Sequence, residues 1–466
     1  MHLVYMGAGF VGACSAAVSA DSGHSVMAFD INQERINSLS SGDPEVIKGC
    51  LHEEGLAELI LQHRSKLSFT TDMKALTLAM DSVDAIFMCL PTPERENGES
   101  DLSYFRNAST MLAELMAARN GGTQSKRILI INKSTVPIRT VDLTREILDS
   151  YGVVNYGVAS NPEFLVEGQA VYDSIHPKRV VVGAETDADF STLRKIYQRF
   201  YDSSNVVYQE MNPYEAATVK LISNTALFNR LAYTFAVAGR VCELYPELSY
   251  EQIRKGIISD SRIGKWGFYD SLYAGGSCLI KDAMSLAFQI EEEGGDPAFI
   301  RAILDANAGQ IERFYNRAEE EAGVDFNGKT VALLGLSFKQ GTNDMRHSGA
   351  LYLIRNLLGA GVASLRAFDP AAMDACRALF DPEKESLYKK ILYCKNEEEA
   401  LQSADVVFVI TDWPEFRTLA DTMLEVSRPC LLMDGRRILS HRYVDLVEKG
   451  FSVIAVGSSF IKGKEV

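Results

Sequence analysis

The sequence predicts an α/β fold: two open parallel sheets, one toward each end of the chain, joined by a long central helix and a helical region. Three observations predict it. Short apolar runs alternate with helical patterns in the first third of the chain. An Ala-, Leu- and Phe-rich stretch follows, without a Gly from residue 213 until Gly239. Short apolar runs then return after Gly328. Strands buried on both faces read as continuous apolar runs, and a strand–helix alternation favours an open parallel sheet.

Taken in order, residues 3–6, 26–29, 85–90 and 128–131 are predicted strands, with helices over 11–22 and 103–119 between them. Residues 213 to about 244 read as a single helix, long enough to serve as a domain spacer or a dimer interface. Helical patterns over 281–292 and 296–320 follow. Strands are predicted again at 330–334, 365–368, 406–410 and 431–433, the last three closed by Asp369-Pro370, Thr411-Asp412 and Asp434-Gly435. The expected domains are therefore 1–210, 211–325 and 326–466.

Composition excludes several classes. The 466 residues are 47% hydrophobic and 23% charged, which is globular and rules out disorder, collagen and coiled coil. With 62 acidic against 47 basic residues the net charge is −15, so no nucleic-acid partner is expected. A small phosphorylated ligand stays open, because backbone amides bind it without a basic face. The 8 cysteines contain no Cys-x-x-Cys pair, so no metal is expected and the thiols read as reduced. No apolar run is long enough to cross a bilayer. The expectation is a soluble cytoplasmic protein with no membrane partner.

Gly7-Ala8-Gly9-Phe10-Val11-Gly12 follows the first strand and opens a helix, and Asp30 ends the second strand. The glycines allow the tight turn, the approach of a pyrophosphate and close helix packing. An acid at Asp30 binds a ribose diol and repels a 2′-phosphate. This predicts a Rossmann-like site for NAD. Pro91-Thr92 and Ser134-Thr135 follow later strands, at the sheet edge where ligands bind.

Gly275-Gly276-Ser277-Cys278 leads into a helix start, with Lys281 and Asp282 just beyond. Amides and a lysine there favour thiolate; otherwise Cys278 is a small buried hydrophobe. Glu163 and Glu167 are four apart, so on a helical turn they would share a face. Lys220 and Asn224 are an i, i+4 pair amid apolar neighbours. Lys220 is then either a buried ammonium that stabilises an oxyanion or a lysine that snorkels to solvent.

The chain resembles the UDP-glucose/GDP-mannose dehydrogenases over essentially its whole length. The likeness rests on GAGFVG at 7–12, NKSTVP at 132–137, NPEFLVEG at 161–168, Lys220 with Asn224, DSRIG at 260–264, GGSCLIKD at 275–282, GLSFKQGTNDMRHS at 335–348 and TDWPEFR at 411–417. The resemblance implies oxidation of a nucleotide sugar's C6 alcohol to a carboxylate with two NAD+. Cys278 would be the nucleophile, forming a thiohemiacetal and then a thioester. Lys220 and Asn224 would hold the oxyanion, and Asp282, Thr135 and Glu163 would manage water and protons. Glu167 would lie between cofactor and substrate, Arg35 beside the adenosine ribose, and Lys281 and Arg346 near the cofactor. The nucleotide sugar would meet Phe164, Leu165, Tyr269, Ser271, Gly275, Phe338, Lys339 and Arg436, with Arg262 reaching across a homodimer or higher homo-oligomer. Ser277 resembles the UDP-glucose and GDP-mannose branches rather than the N-acetylhexosamine branch, which carries His there, and the TDWPEF stretch resembles the UDP-glucose branch, so UDP-glucose is preferred to GDP-mannose. Leu272-Tyr273-Ala274, Leu279-Ile280 and Glu53-Glu54-Gly55 depart from the family pattern. Two rival readings are a two-electron β-hydroxyacid-type dehydrogenase and a non-catalytic nucleotide-sugar-binding regulator. The first leaves Cys278 and the second sheet unused; the second needs a broken catalytic set.

Overall fold

The computed structural model describes residues 1–119, 126–426 and 428–465. The described chain falls into two compact units. The first comprises Met1–Ser223 with Met284–Gly295, the second Asn224–Ala283 with Asp296–Val466.

The first unit is built on eight strands: β1 (His2–Met6), β2 (Ser25–Phe29), β3 (Leu67–Thr70), β4 (Ala85–Met88), β5 (Ile128–Asn132), β6 (Tyr156–Ser160), β7 (Arg179–Gly183) and β8 (Val207–Met211). Their order is β3-β2-β1-β4-β5-β6-β7-β8. Every pairing is parallel except β6 with β7, which meet antiparallel at Ser160 and Gly183. Successive side chains of a strand face opposite layers. Leu3 and Tyr5 therefore join Phe87, Leu129 and Ile131 in one core, and Val4 and Met6 join Ile86, Met88 and Ile130 in the other. Both faces are covered, which is why these strands have no polar alternation. Helix Phe10–Asp21 lies on the first core through Ala13, Ala16, Ala17 and Ala20, all fully buried. Such small side chains let helix and sheet approach closely.

The predicted long helix begins at Pro213, where a missing amide costs nothing. Asn212 and Glu215 cap it reciprocally: each side chain accepts the other's backbone amide at 2.9 Å. Helix Pro213–Tyr233 passes into a π-helical turn at Thr234–Gly239 and resumes as Arg240–Leu244. The run expected to residue 244 is thus helical to its end but changes winding on the way.

The second unit carries β9 (Thr330–Leu334), β10 (Ser364–Phe368), β11 (Ile391–Tyr393), β12 (Val406–Val409), β13 (Leu431–Asp434) and β14 (Ser452–Ala455). All pairings are parallel in the order β11-β10-β9-β12-β13-β14. Helix Ala298–Glu320 is tied to this sheet by the fully buried Arg317. Its guanidinium donates to Ala455 O at 2.9 Å and Ser458 O at 2.8 Å, with Glu321 beside it. Each sheet changes winding direction once, between β1 and β4 and between β9 and β12. That point of an open α/β sheet leaves a crevice for ligand beyond the strand ends.

Candidate active site

In the first unit, the glycine loop joins β1 to helix Phe10–Asp21. A side chain at Gly12 would run into the carbonyl of Gly7, so the helix can start this close only with glycine there, whereas the space over Gly9 is open. Asp30 ends β2 nearly buried. Its carboxylate accepts the Ala8 amide at 2.7 Å and the Asn32 amide at 2.8 Å, and pairs with Arg35 at 3.1 Å. An open glycine backbone at a helix N-terminus, with a carboxylate beside a cation, fits a dinucleotide. Here Gly7–Gly12 would hold the pyrophosphate and Asp30 the ribose.

The loops after β4 and β5 are laced together. Ser134 Oγ donates to Leu90 O at 2.7 Å and Thr92 Oγ1 to Thr135 O at 2.9 Å. Pro91 is exposed, and Thr135 is partly exposed. The hydroxyls of Ser134 and Thr92 thus fix the loops' shape.

The segment after β6 corrects the sequence reading. Residues 161–166 are not helical, so Glu163 and Glu167 do not share a helical face. Pro162 interrupts regular hydrogen bonding, and Glu163 Oε2 accepts the amide of Leu165 at 2.6 Å. Glu163 is buried and pairs with Lys220 at 3.1 Å. Burial opposes ionisation of Glu163, but Lys220, the Leu165 amide and Lys133 outweigh it and hold the carboxyl below its usual range. Lys220 is itself buried, so it does not snorkel to solvent. Phe164 stands between cations, with Arg179 at 3.9 Å and Lys220 at 5.4 Å from its ring centre. Glu167 is partly buried, in the turn before helix Ala170–Ile175.

Two residues of this unit escape a sequence reading. Glu53 sits in the stretch that departs from the family pattern, yet it is 2% exposed and accepts the amides of Gly168 and Ala170, both at 2.9 Å. It therefore fixes the backbone beside Glu167. Lys133 is buried at the end of β5 and donates to Asn161 Oδ1 at 2.9 Å; Tyr197 OH donates to the same oxygen. Burial pushes the Lys133 ammonium down to about 8, against the pull of Cys89 and Glu163. A cavity of about 230 Å³ is lined by Lys133, Asn161, Glu163, Phe164 and Tyr197 among others.

In the second unit, Cys278 directly precedes helix Leu279–Glu292, and its carbonyl accepts the Asp282 amide at 3.0 Å. Its Sγ lies 3.7 Å from Ser277 Oγ. Asp282, 1% exposed, takes Lys281 Nζ on one oxygen and Asn224 Nδ2 on the other, both at 2.6 Å. The residues expected around Cys278 within this unit thus form one hydrogen-bonded set.

The preceding loop packs on the one after β9. Gly276 N donates to Arg346 O at 3.1 Å, and side chains at Gly275 or Gly276 would strike His347 O or the Phe338 ring. Lys339 lies 5.6 Å from the centre of that ring. Arg346 is exposed and paired with Asp344 at 2.7 Å. Arg436 reaches Ser271 Oγ at 3.3 Å and Asp412 at 3.0 Å, and its Nε is buried without a protein partner. Arg437 instead donates to Val456 O at 3.0 Å and lies 5.3 Å from the Tyr250 ring centre. Each arginine has a buried Nε without a hydrogen-bond partner, so the two differ in what their terminal nitrogens reach: Ser271 and Asp412 for Arg436, the Val456 carbonyl for Arg437. Tyr269 and Arg262 are exposed, Tyr269 stacked edge-on with Trp266 and Arg262 paired with Asp260 at 2.6 Å.

The comparisons with known proteins agree along the chain. Residues 1–201 match the NAD binding domain of the UDP-glucose/GDP-mannose dehydrogenase family, residues 214–309 its central domain and residues 332–441 its UDP binding domain. The UDP-glucose 6-dehydrogenase AglM of Haloferax volcanii is 35% identical over 449 residues, 95% of this chain and 98% of that one. The UDP-glucose 6-dehydrogenase of Pseudomonas aeruginosa is 33% identical over 465 residues, 98% and 97% of the two chains. A UDP-glucose dehydrogenase structure from the hyperthermophilic archaeon Pyrobaculum islandicum aligns with a TM-score of 0.83 at 29% identity, over 95% of each chain. With its glycine loop, its Cys278 set and this agreement over all three domains, the chain belongs to the UDP-glucose/GDP-mannose dehydrogenase family and is an NAD-dependent oxidoreductase.

Proposed function

We propose that this protein oxidises UDP-glucose at C6 to UDP-glucuronate in two steps without releasing the aldehyde. The balance is one alcohol, one water and two NAD+ giving one carboxylate, two NADH and three protons. NAD+ supplies the hydride acceptor for both oxidations. Cys278 Sγ adds to the C6 aldehyde carbon, forming the C–S bond of a thiohemiacetal. Loss of the second hydride leaves a thioester. Water then breaks the C–S bond, returning the thiol and releasing the carboxylate. Lys220 and Asn224 stabilise the oxyanion at C6, and Asp282 holds Asn224 in place. Glu163 and Thr135 handle the water and protons.

The observation that carries this reading is the set around Cys278, with a buried Asp282 orienting Lys281 and Asn224. Arg436, whose guanidinium reaches Ser271 and Asp412 beyond β13, supports binding of a sugar nucleotide's phosphates by the second sheet, together with Lys339 and Phe338. The three family matches support a three-part division at 1–210, 211–325 and 326–466. Exposed Tyr233, Val237, Val241 and Leu244 recur at helical spacing, which supports a homodimer through the central helix. Eight free cysteines support a reducing, cytoplasmic setting.

The test is NADH formed per sugar consumed, with UDP-glucose and GDP-mannose side by side. Two NADH per UDP-glucose is expected. One NADH refutes the thioester route, and turnover of GDP-mannose alone refutes the sugar. Cys278→Ala should abolish overall turnover while leaving nucleotide-sugar affinity intact.

A further inference from the structure

Residues 263–267 form a turn that closes with little regular secondary structure, between Arg262 and Tyr269. One side chain of helix Pro213–Tyr233 holds it. Arg230 Nε donates to Trp266 O at 2.7 Å, and its second terminal nitrogen donates to Ile263 O at 2.6 Å and lies 3.3 Å from Gly264 O. One guanidinium thus gathers three carbonyls of a single turn. The turn is shaped for it: Gly264 and Gly267 sit at φ +69° and +89°, and a side chain at Gly267 would lie 2.7 Å from Arg230 Cβ. One turn further along, buried Thr234 Oγ1 stands 2.8 Å from both Arg230 O and Gly267 O, sharing one proton between them. The π-helical turn starts at this residue. A hydroxyl that competes for the helix's own carbonyl loosens the regular ladder, and π turns gather at functional places. Behind the turn, Arg254 reaches Phe268 O and Asp270, both at 3.4 Å.

We propose that Arg230 is a positioning residue for the nucleotide-sugar site. Its guanidinium sets the 263–267 turn and thereby presents Arg262 and Tyr269 to the ligand, with Thr234 locking the far end. The inference rests on the substrate reading above for the role of Arg262 and Tyr269, but the clamp itself is a separate claim. The three carbonyls are neutral acceptors held by one charged donor, so its removal frees the whole turn.

The sequence contains two tryptophans, and Trp266 is in the clamped turn. In a full-length Trp413→Phe background, Trp266 alone reports on the turn. Arg230→Met should red-shift Trp266 emission and raise its acrylamide quenching. It should weaken UDP-glucose binding, measured by calorimetry, about tenfold, with NAD+ affinity unchanged within about twofold. Arg230→Lys, with a point charge in place of the fork, should restore only part of both. If Arg230→Met does not fold, Thr234→Val removes the second anchor at nearly constant volume and should shift Trp266 in the same direction. Unchanged Trp266 emission in the folded variants overturns the clamp. A shifted Trp266 with unchanged UDP-glucose affinity overturns the positioning role. If the unmutated protein binds neither UDP-glucose nor GDP-mannose, the substrate reading fails and the positioning role with it, while Trp266 still decides the clamp.

Discussion

β1 and β9 each end in a glycine with positive φ, Gly7 at +98° and Gly335 at +93°, and each glycine's amide binds the last residue of the neighbouring strand, Phe29 O at 2.7 Å and Phe368 O at 2.9 Å. Beyond that neighbour stands an aspartate aimed back at the turn, Asp30 in one unit and Asp369 in the other. Asp30 takes the amides of Ala8 and Asn32 and the guanidinium of Arg35. Asp369 takes the amides of Leu336, Ser337, Ala371 and Ala372, the Ser337 hydroxyl and the Trp413 indole. One carboxylate faces a cation at its rim and suits the proposed ribose contact. The other is a structural hub with its lone pairs filled, so it has nothing left for a ribose diol. The backbone turn alone does not make a dinucleotide site; what occupies the aspartate does.

The strongest way to break this comparison is through the glycines. Gly12→Val would drive a side chain into the Gly7 carbonyl and Cys89. NAD+ affinity should fall by about 100-fold or more by calorimetry, since the helix can no longer approach the pyrophosphate. Gly335→Ala should act differently. Its new methyl would lie 2.5 Å from Thr411 Cβ at a φ that disfavours any side chain. That predicts about 2–4 kcal/mol of lost stability by denaturant titration, with NAD+ affinity of the folded protein unchanged within about twofold. Lost NAD+ affinity in both variants would mean the two turns are not functionally distinct.

The aspartates sharpen the same point with smaller effects. Asp369→Asn turns an amide N–H toward donors and should cost about 3 kcal/mol of stability. Asp30→Asn should cost little stability and instead narrow the preference for NAD+ over NADP+ by about tenfold, in kcat/KM. The reverse pattern would show that Asp30 is the structural member of the pair.

The parts legible in the sequence are those whose chemistry is local. The glycine turn after β1, Asp30 at the end of β2, the helix start after Cys278 and the helix from Pro213 each follow from residue type and spacing. β8 does not, because VYQEM lies half-exposed at a sheet edge and shows neither an apolar run nor a clean alternation. The Glu163–Glu167 spacing misleads, because Pro162 and the Leu165 amide impose an irregular path that i, i+4 arithmetic cannot see. Glu53 and Lys133 are invisible for another reason: their partners, Gly168 and Asn161, are far away in sequence. Arg436 and Arg437 are adjacent and alike in sequence. Only the tertiary structure separates the one that packs from the one that faces Ser271.

The ends of β5 and β13 extend the comparison to titration. Both strands hold the third place on the same side of their first strand, and each delivers a buried ionisable group. Asp434 ends β13, where burial raises its carboxyl; the amides of Arg436 and Leu439 and the Tyr443 hydroxyl all donate to it. Lys133 follows β5 with its ammonium pushed down to about 8 by burial, while Cys89, Glu163 and Lys220 face it. The signs are opposite. Between the folded and unfolded values of Lys133, about 8 and about 10.4, the unfolded chain binds the extra proton, so stability rises with pH across that window. For Asp434 the folded chain keeps the proton longer, so its contribution falls as pH rises above the unfolded value. Lys133→Met removes the first slope. Denaturant titrations at pH 8 and pH 10 should show the unmutated protein gaining about 1–2 kcal/mol relative to the variant. Equal slopes in the two proteins would mean that Lys133 titrates as a solvated lysine, and that burial at the end of β5 does not disfavour its ammonium.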